Sequence, residues 1–268
     1  MFIVKVPGIN SSGKTIGCEK AGNAILESLK EIYSNELGKP IDARLLDLEE
    51  IHLDNGNLEL ANVLIYENAL EAFEEKPKTF FIGGDHSISY SLAKAFLKYC
   101  RNAQKEPCLI VFDAHPDCMS SIDSKIPNHE EWLRALIESG FPAENILLVG
   151  VRNSDFSETE FLSRNRIRVI TMNQLLDDLH DSCDVIMEFS NGKELYLSLD
   201  IDVVDPVFAP ATGYIEPGGL TSRQFIYLVQ RMNKIKNLRA IDLVEINPEK
   251  DSTGMTVKLG AKILSEFI

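Results

Sequence analysis

Short, continuously apolar runs recur along the chain at 2–6, 43–48, 79–82, 109–113, 146–151, 168–171, 195–200 and 239–245. Each has the length of one strand. They do not alternate apolar with polar, which is the pattern of strands covered on both faces. Between them, segments 22–37, 88–99, 130–139, 221–232 and 255–267 carry helical periodicity. Strands alternating with helices predict a parallel sheet with helices on both faces. No Pro/Ser-rich linker, repeat or low-complexity tract divides the chain, so residues 1–268 read as one domain.

In an open parallel sheet, ligands bind outside the carboxyl ends of the strands. The residues just past each strand are therefore informative. GGDHS (83–87) comes after the third run, DAHPD (113–117) after the fourth, and DIDVVDP (200–206) after the seventh; EINP (245–248) closes the eighth. Asp113, His115 and Asp117 are spaced two apart and share one face if the chain stays extended, as Pro116 favours at His115. Asp200 and Asp202 share a face by the same logic. Gly83 and Gly84 allow a tight turn before His86, and Asp85 is placed to cap the next helix. Buried carboxylates at this density repel unless a cation compensates them. Four aspartates and two histidines exceed what one zinc needs and suit two divalent ions. Their mixed O/N character favours Mn²⁺ over thiolate-seeking zinc.

Composition narrows the partners. The net charge of −14, from 41 acidic and 27 basic residues, argues against nucleic acid and suits a cationic ligand. No apolar run is long enough to span a bilayer, and MFIVKVPGIN reads as a strand, not a signal peptide. Five scattered cysteines without a C-x-x-C pair fit a reducing, cytoplasmic setting.

At these residues the sequence resembles the ureohydrolase family of arginases, agmatinases and their relatives. GGDHS, DAHPD, SLDIDVVDP (198–206), PATGYIEPGGLT (210–221) and DLVEINP (242–248) occur in the family's order. The resemblance implies a single three-layer α/β/α domain with a mostly parallel sheet of about eight strands. It also implies two Mn²⁺ ions per chain and a homo-oligomer, trimer or hexamer. His86, Asp113, Asp117 and Asp200 would hold one ion; His115, Asp113, Asp200 and Asp202 would hold the other. Metal-activated water would attack a guanidinium carbon, releasing urea and an amine. Asp117 would pass a proton to the leaving amine, His129 in PNHEEW (127–132) would shuttle protons, and Glu245 would pair with the guanidinium. Ser198 and Asp205 would orient ligands, and Thr212 and Gly213 would line the mouth. Trp132 and His52 read as structural, and His180 as a surface residue.

The loop after DAHPD departs from each subgroup. It reads Cys118-Met119-Ser120-Ser121-Ile122, without the Asn usual in arginases, the aromatic residue frequent in agmatinases, or the Arg of formimidoylglutamases. Lys125 is its only cation, and Tyr214 stands where a Thr is usual. Cys118, Met119, Thr212, Tyr214 and Glu245 are the candidate substrate contacts. The expected substrate is a small cationic guanidino compound such as agmatine, with arginase or formimidoylglutamase activity as alternatives. A one-zinc amidohydrolase related to deacetylases would carry a His-His pair, which is absent. A non-catalytic metal-binding relative would not need Glu245.

Overall fold

The computed structural model describes residues 1–10, 13–120 and 126–268. Its strands are β1 (Phe2–Lys5), β2 (Asp47–Glu50), β3 (Thr79–Ile82), β4 (Pro107–Phe112), β5 (Ile146–Val151), β6 (Arg168–Thr171), β7 (Glu194–Asp200) and β8 (Leu238–Val244). They form one sheet in the order β2-β1-β3-β8-β7-β4-β5-β6, with every neighbouring pair parallel. The described helices are α1 (Ala21–Leu29), α2 (Leu58–Glu75), α3 (Ile88–Asn102), α4 (Trp132–Glu138), α5 (Phe156–Arg164), α6 (Met172–Asp177), α7 (Leu179–Phe189), α8 (Ser222–Met232) and α9 (Met255–Phe267).

Strand periodicity splits the core into two layers. Cys108, Ile110 and Phe112 of β4 join Leu197 and Leu199 of β7 on one face, against Ile25 of α1, Phe225 of α8 and Ile263 of α9. Leu109 and Val111 point to the other face, with Phe73 of α2, Leu92 and Phe96 of α3 and Trp132 of α4. The result is the three-layer α/β/α arrangement with a parallel eight-stranded sheet.

The central four strands are β3, β8, β7 and β4, although they lie far apart in sequence. Leu199 pairs with both Phe112 and Leu243, and Leu243 pairs with Ile82. The carboxyl ends of these four strands are therefore level, and the segments beyond them meet at one place.

Three expected elements differ. The run 43–48 is not a strand throughout. Asp42 accepts a hydrogen bond from Arg44 N and starts a 3₁₀ turn, Ala43–Leu45. The edge strand then begins at Asp47, set by its pairing with Phe2, and is exposed along its length. The helix expected over 22–37 stops at Leu29. Beyond it, Asn35 Oδ1 accepts from Leu37 N and Lys39 N, and Ser34 bridges Pro40 in a hairpin-like turn. The segment 130–139 narrows to α4, with Glu130 and Glu131 outside it. Helices α2, α5, α6 and α7 were not expected. Their signals are short and local: Asn57 caps α2, and capping boxes open α5 and α6. No described helix is long and apolar enough to cross a membrane.

Candidate metal centre and substrate pocket

GGDHS leaves β3 against the end of β1. A Cβ on Gly84 would lie 2.0 Å from the carbonyl oxygen of Gly8, so only glycine allows this approach. Asp85 then ties three segments together. Its Oδ1 accepts from Ser87 N at 3.1 Å, and its Oδ2 accepts from Asn10 N at 2.9 Å and Thr15 Oγ1 at 3.0 Å. His86 is thereby fixed over the sheet edge, 1% exposed, with its ring stacked 4.7 Å from that of Trp132.

DAHPD does not stay extended. Four residues of strand would separate Asp113 from Asp117 by about 13 Å. Instead, both reach the same atom: His86 Nδ1 lies 3.1 Å from Asp113 Oδ2 and 3.0 Å from Asp117 Oδ2. The chain bends after Asp113, where His115 N donates to Asp113 Oδ1 at 2.6 Å, and Asp117 adopts a left-handed φ of 52°. Such backbone costs about 1–3 kcal/mol and persists only where its surroundings hold it. Here Trp132 Nε1 donates to Asp117 Oδ2 at 2.8 Å. DID bends likewise: Asp200 Oδ1 accepts from Asp202 N at 2.8 Å as a 3₁₀ turn begins. The shared face expected from an extended chain is thus replaced by two turns.

Two clusters result. Asp200 Oδ2 is 3.1 Å from His86 Nδ1, completing His86, Asp113, Asp117 and Asp200. Beside them, His115 Nδ1 lies 3.0 Å from Asp202 Oδ2 and 3.6 Å from Asp113 Oδ1. Ligand-capable atoms of His86, Asp113 and Asp200, and separately of Asp113, His115 and Asp202, lie within 4.8 Å of one another. Asp113 belongs to both groups. Among the described residues His86 Nδ1 is buried and makes no hydrogen bond, although three carboxylate oxygens surround it. A donor set of converging oxygens and one imidazole nitrogen, none aligned with another, fits a divalent cation.

Charge tells the same story. Burial raises Asp200 well above its ordinary range, and Asp202 and Asp113 raise it further. Burial and Asp113 likewise raise Asp117. Burial alone would lower the histidines. The neighbouring carboxylates override it, lifting His86 far above 6.5 and His115 to about 12. The centre thus recruits positive charge onto its histidines and protons onto its acids. Divalent cations would supply that charge without either.

Glu245 sits just past β8 with a left-handed φ of 64°. Its N–H donates to Gly84 O at 2.9 Å, and its Oε1 accepts from His86 N at 2.9 Å. The buried Cys18 thiol lies 4.0 Å from Oε2. Burial pushes the Glu245 carboxyl well up, and nearby Asp85 adds to the effect.

A cavity of about 250 Å³ opens from the cluster. Of the expected substrate contacts, Met119, Tyr214 and Glu245 line it, as does the expected shuttle His129; Cys118 and Thr212 are buried outside its lining. Gly213 packs against Glu245, so that a Cβ there would sit 3.0 Å from Oε2. The Tyr214 ring lies 5.1 Å from that of His129, with Lys14 Nζ 4.1 Å from its centroid. Both ring nitrogens of His129 are buried without a hydrogen bond among the described residues, and Glu130 Oε1 lies 3.9 Å from Nε2. Residues 121–125, including Ser121, Ile122 and Lys125 of the specificity loop, lie outside the described residues.

Several roles shift. Ser198 Oγ does contact an expected ligand, lying 2.9 Å from His86 Nε2. Asp205 instead accepts from Val207, Gly218 and Gly219 N, folding its own loop. Trp132 touches both His86 and Asp117 and is part of the site. His52 and His180 are exposed. The lining also includes Glu130, Asn153, Asp155 and Glu158, which the sequence reading missed. Glu130 adjoins His129, and Asn153 and Asp155 lie just past β5. The strand-end logic that found the metal residues applies to them as well.

The fold and this cluster define a candidate metal centre at the strand ends of an α/β sheet. The Arginase family model matches residues 1–268, and the chain belongs to that family. It is similar to a mitochondrial arginase 1 of Oryza sativa subsp. indica, 31% identical over 210 residues, 78% of this chain and 59% of that one. The chain thus spans less than two thirds of that relative. It is 28% identical to an agmatinase of Bacillus subtilis over 240 residues, 89% of this chain and 79% of the relative. The solved formimidoylglutamase of Bacillus subtilis superposes with a TM-score of 0.88 at 25% identity, covering 99% of this chain and 85% of that one.

Proposed function

We propose that this protein hydrolyses a C–N bond of a small guanidino compound with a cationic tail, agmatine-like, to urea and an amine. The observation that carries this reading is the convergence of Asp113, Asp117 and Asp200 on the unpaired His86 Nδ1, with Glu245 at the same cavity. His86, Asp113, Asp117 and Asp200 would hold one Mn²⁺, and Asp113, His115, Asp200 and Asp202 the other. The ions would act as Lewis acids and lower the pKa of water.

The chain's own residues do the rest. Glu245 pairs with the guanidinium N–H groups, since among the described residues the side-chain donor near its Oε2 is the weak Cys18 thiol at 4.0 Å. As water's oxygen joins the guanidinium carbon, Asp117 takes the proton that the water gives up and passes it to the departing amine as the C–N bond breaks. Trp132 holds the carboxyl group for that transfer. His129, at the pocket with no hydrogen bond among the described residues and Glu130 beside it, relays protons to solvent. Among the described lining residues there is no lysine or arginine, while Glu130, Asp155 and Glu158 are present, which supports a cationic tail. Lys14 over Tyr214 favours a second reading, an acidic tail as in formimidoylglutamate. Five buried free cysteines support a reducing, cytoplasmic setting. Exposed Tyr33, Leu37 and Leu45 support assembly with further copies.

The test is urea release by the Mn²⁺-loaded protein from agmatine, arginine, guanidinobutyrate, guanidinopropionate and guanidine, with formamide release from formimidoylglutamate. Agmatine turnover that falls about 100-fold or more in Asp117→Asn is the expected result. Formamide from formimidoylglutamate alone would replace the cationic tail by the acidic one. No turnover with any of them would overturn the proposal.

A further inference from the structure

Behind the cluster, on β8, sits Asp242, a fully buried carboxylate with no ion pair among the described residues. Three hydroxyls satisfy it instead. Tyr196 (2.5 Å) and Ser89 (2.8 Å) donate to Oδ2, and Ser198 (2.7 Å) donates to Oδ1. Strand register places Ser198 directly opposite Asp242 across β7 and β8. The other side of Ser198 Oγ faces His86 Nε2 at 2.9 Å.

The hydrogen-bond polarity of this row is determined. An ionised carboxylate only accepts, and a serine hydroxyl has one proton to give. Ser198 gives it to Asp242, so toward His86 it can only accept. Nε2 must then carry the ring proton. When a cation takes the place of the proton that the carboxylates otherwise draw onto the ring, the imidazole is neutral with its one N–H at Nε2, so Nδ1 presents its lone pair to the space among Asp113, Asp117 and Asp200.

We infer that Asp242 is a positioning residue, which acts through Ser198 to hold His86 as the Nε2–H tautomer and leave Nδ1 free to bind a divalent cation. The inference rests on the metal reading above. Asp242 does not line the cavity, and among the described residues its side chain hydrogen-bonds to none of the six proposed ligands; Ser89 links it to the His86 backbone, and Ser198 is its link to the His86 ring. Partners of this kind typically change metal affinity 10- to 100-fold.

Asp242→Asn tests the polarity with little change of shape. The amide oxygen would take the Oδ2 side, where two hydroxyls donate. The NH₂ would then face Ser198 and turn its hydroxyl toward His86 Nε2, moving the ring proton to Nδ1. Ser198→Ala removes the link without forcing that tautomer.

The experiment is Mn²⁺ titration calorimetry on the metal-free full chain. Two ions are expected in the wild type. In Asp242→Asn, one affinity should fall about 10- to 100-fold while the other is kept. Ser198→Ala should lose less. The double variant should match Ser198→Ala, so that removing the hydroxyl partly rescues Asp242→Asn. A purely structural role predicts the opposite order, since Ala leaves a void and Asn does not, and additive losses in the double variant. Both affinities within about twofold of wild type in a folded Asp242→Asn, or additive losses, would overturn the inference. If Asp242→Asn does not fold, Ser198→Ala decides: loss at one ion supports the relay and unchanged binding overturns it. A wild type that binds no Mn²⁺ overturns the metal reading and this inference with it.

Discussion

Trp132 shows how one side chain can serve both the core and the site. Its ring is fully buried against His86, and its N–H is the only indole donor in the chain. Trp132→Phe keeps most of the packing but leaves Asp117 Oδ2 without that donor. We expect kcat to fall by roughly tenfold, worth about 1.4 kcal/mol, with the metal content unchanged. Steady-state kinetics beside metal analysis checks it, and an unchanged kcat would return Trp132 to a packing role. At this scale the sequence was only partly legible. DAHPD and DID announce metal chemistry by composition, but not their shape. The left-handed backbone at Asp117 is stabilised by contacts from α4 and from the loop after β3, which no local pattern encodes.

Elements were legible where a strong apolar periodicity accompanies the local cap, as it does in α8 and not in α5 or α6. Helix α8 begins with a capping box: Thr221 Oγ1 accepts from Gln224 N, and Gln224 Oε1 accepts from Thr221 N at 2.9 Å. The helix packs Phe225, Leu228 and Val229 onto the sheet directly after the 205–219 loop. Thr221→Ala should therefore cost about 1 kcal/mol. Chemical denaturation would register this as a lower midpoint with an unchanged slope. An unchanged midpoint would mean that packing alone holds the helix start. Where tertiary contacts decide, the reading erred. The tail beyond Leu29 looked helical, yet Asn35 turns it and Glu36 fastens it to other elements.

That fastening belongs to the whole molecule. Glu36 accepts from Arg223 of α8 at 2.5 and 3.0 Å, and Lys262 of α9 lies 3.8 Å away. The Arg223 hydrogen bonds hold its carboxyl below the ordinary value of 4.5, against burial. The lowered value makes Glu36 stabilising above 4.5, and that contribution is lost as pH falls through the folded-state value. Glu36→Gln should lower stability at neutral pH and converge with the wild type in acid, as thermal melts across pH will show. A gap that persists at low pH would exclude the ion pair as its cause. Metal acts at the same scale. A cation held at 100 times its Kd adds about 2.7 kcal/mol, so chelation should lower Tm and Mn²⁺ restore it. A Tm indifferent to both would contradict the metal centre.

By itself, the sequence determined the class of fold and the chemistry at the strand ends. Buried strands must be apolar, and clustered carboxylates need a cation; both show in residue type and spacing. Only the tertiary structure decided which ends meet. Strands β3, β4, β7 and β8 become neighbours through crossovers, in an order that no window of sequence contains. That order brings Asp242 beneath His86 and Trp132 onto Asp117. It also completes the pocket with Glu130, Asn153, Asp155 and Glu158, because side chains distant along the chain interact only once the sheet has aligned them.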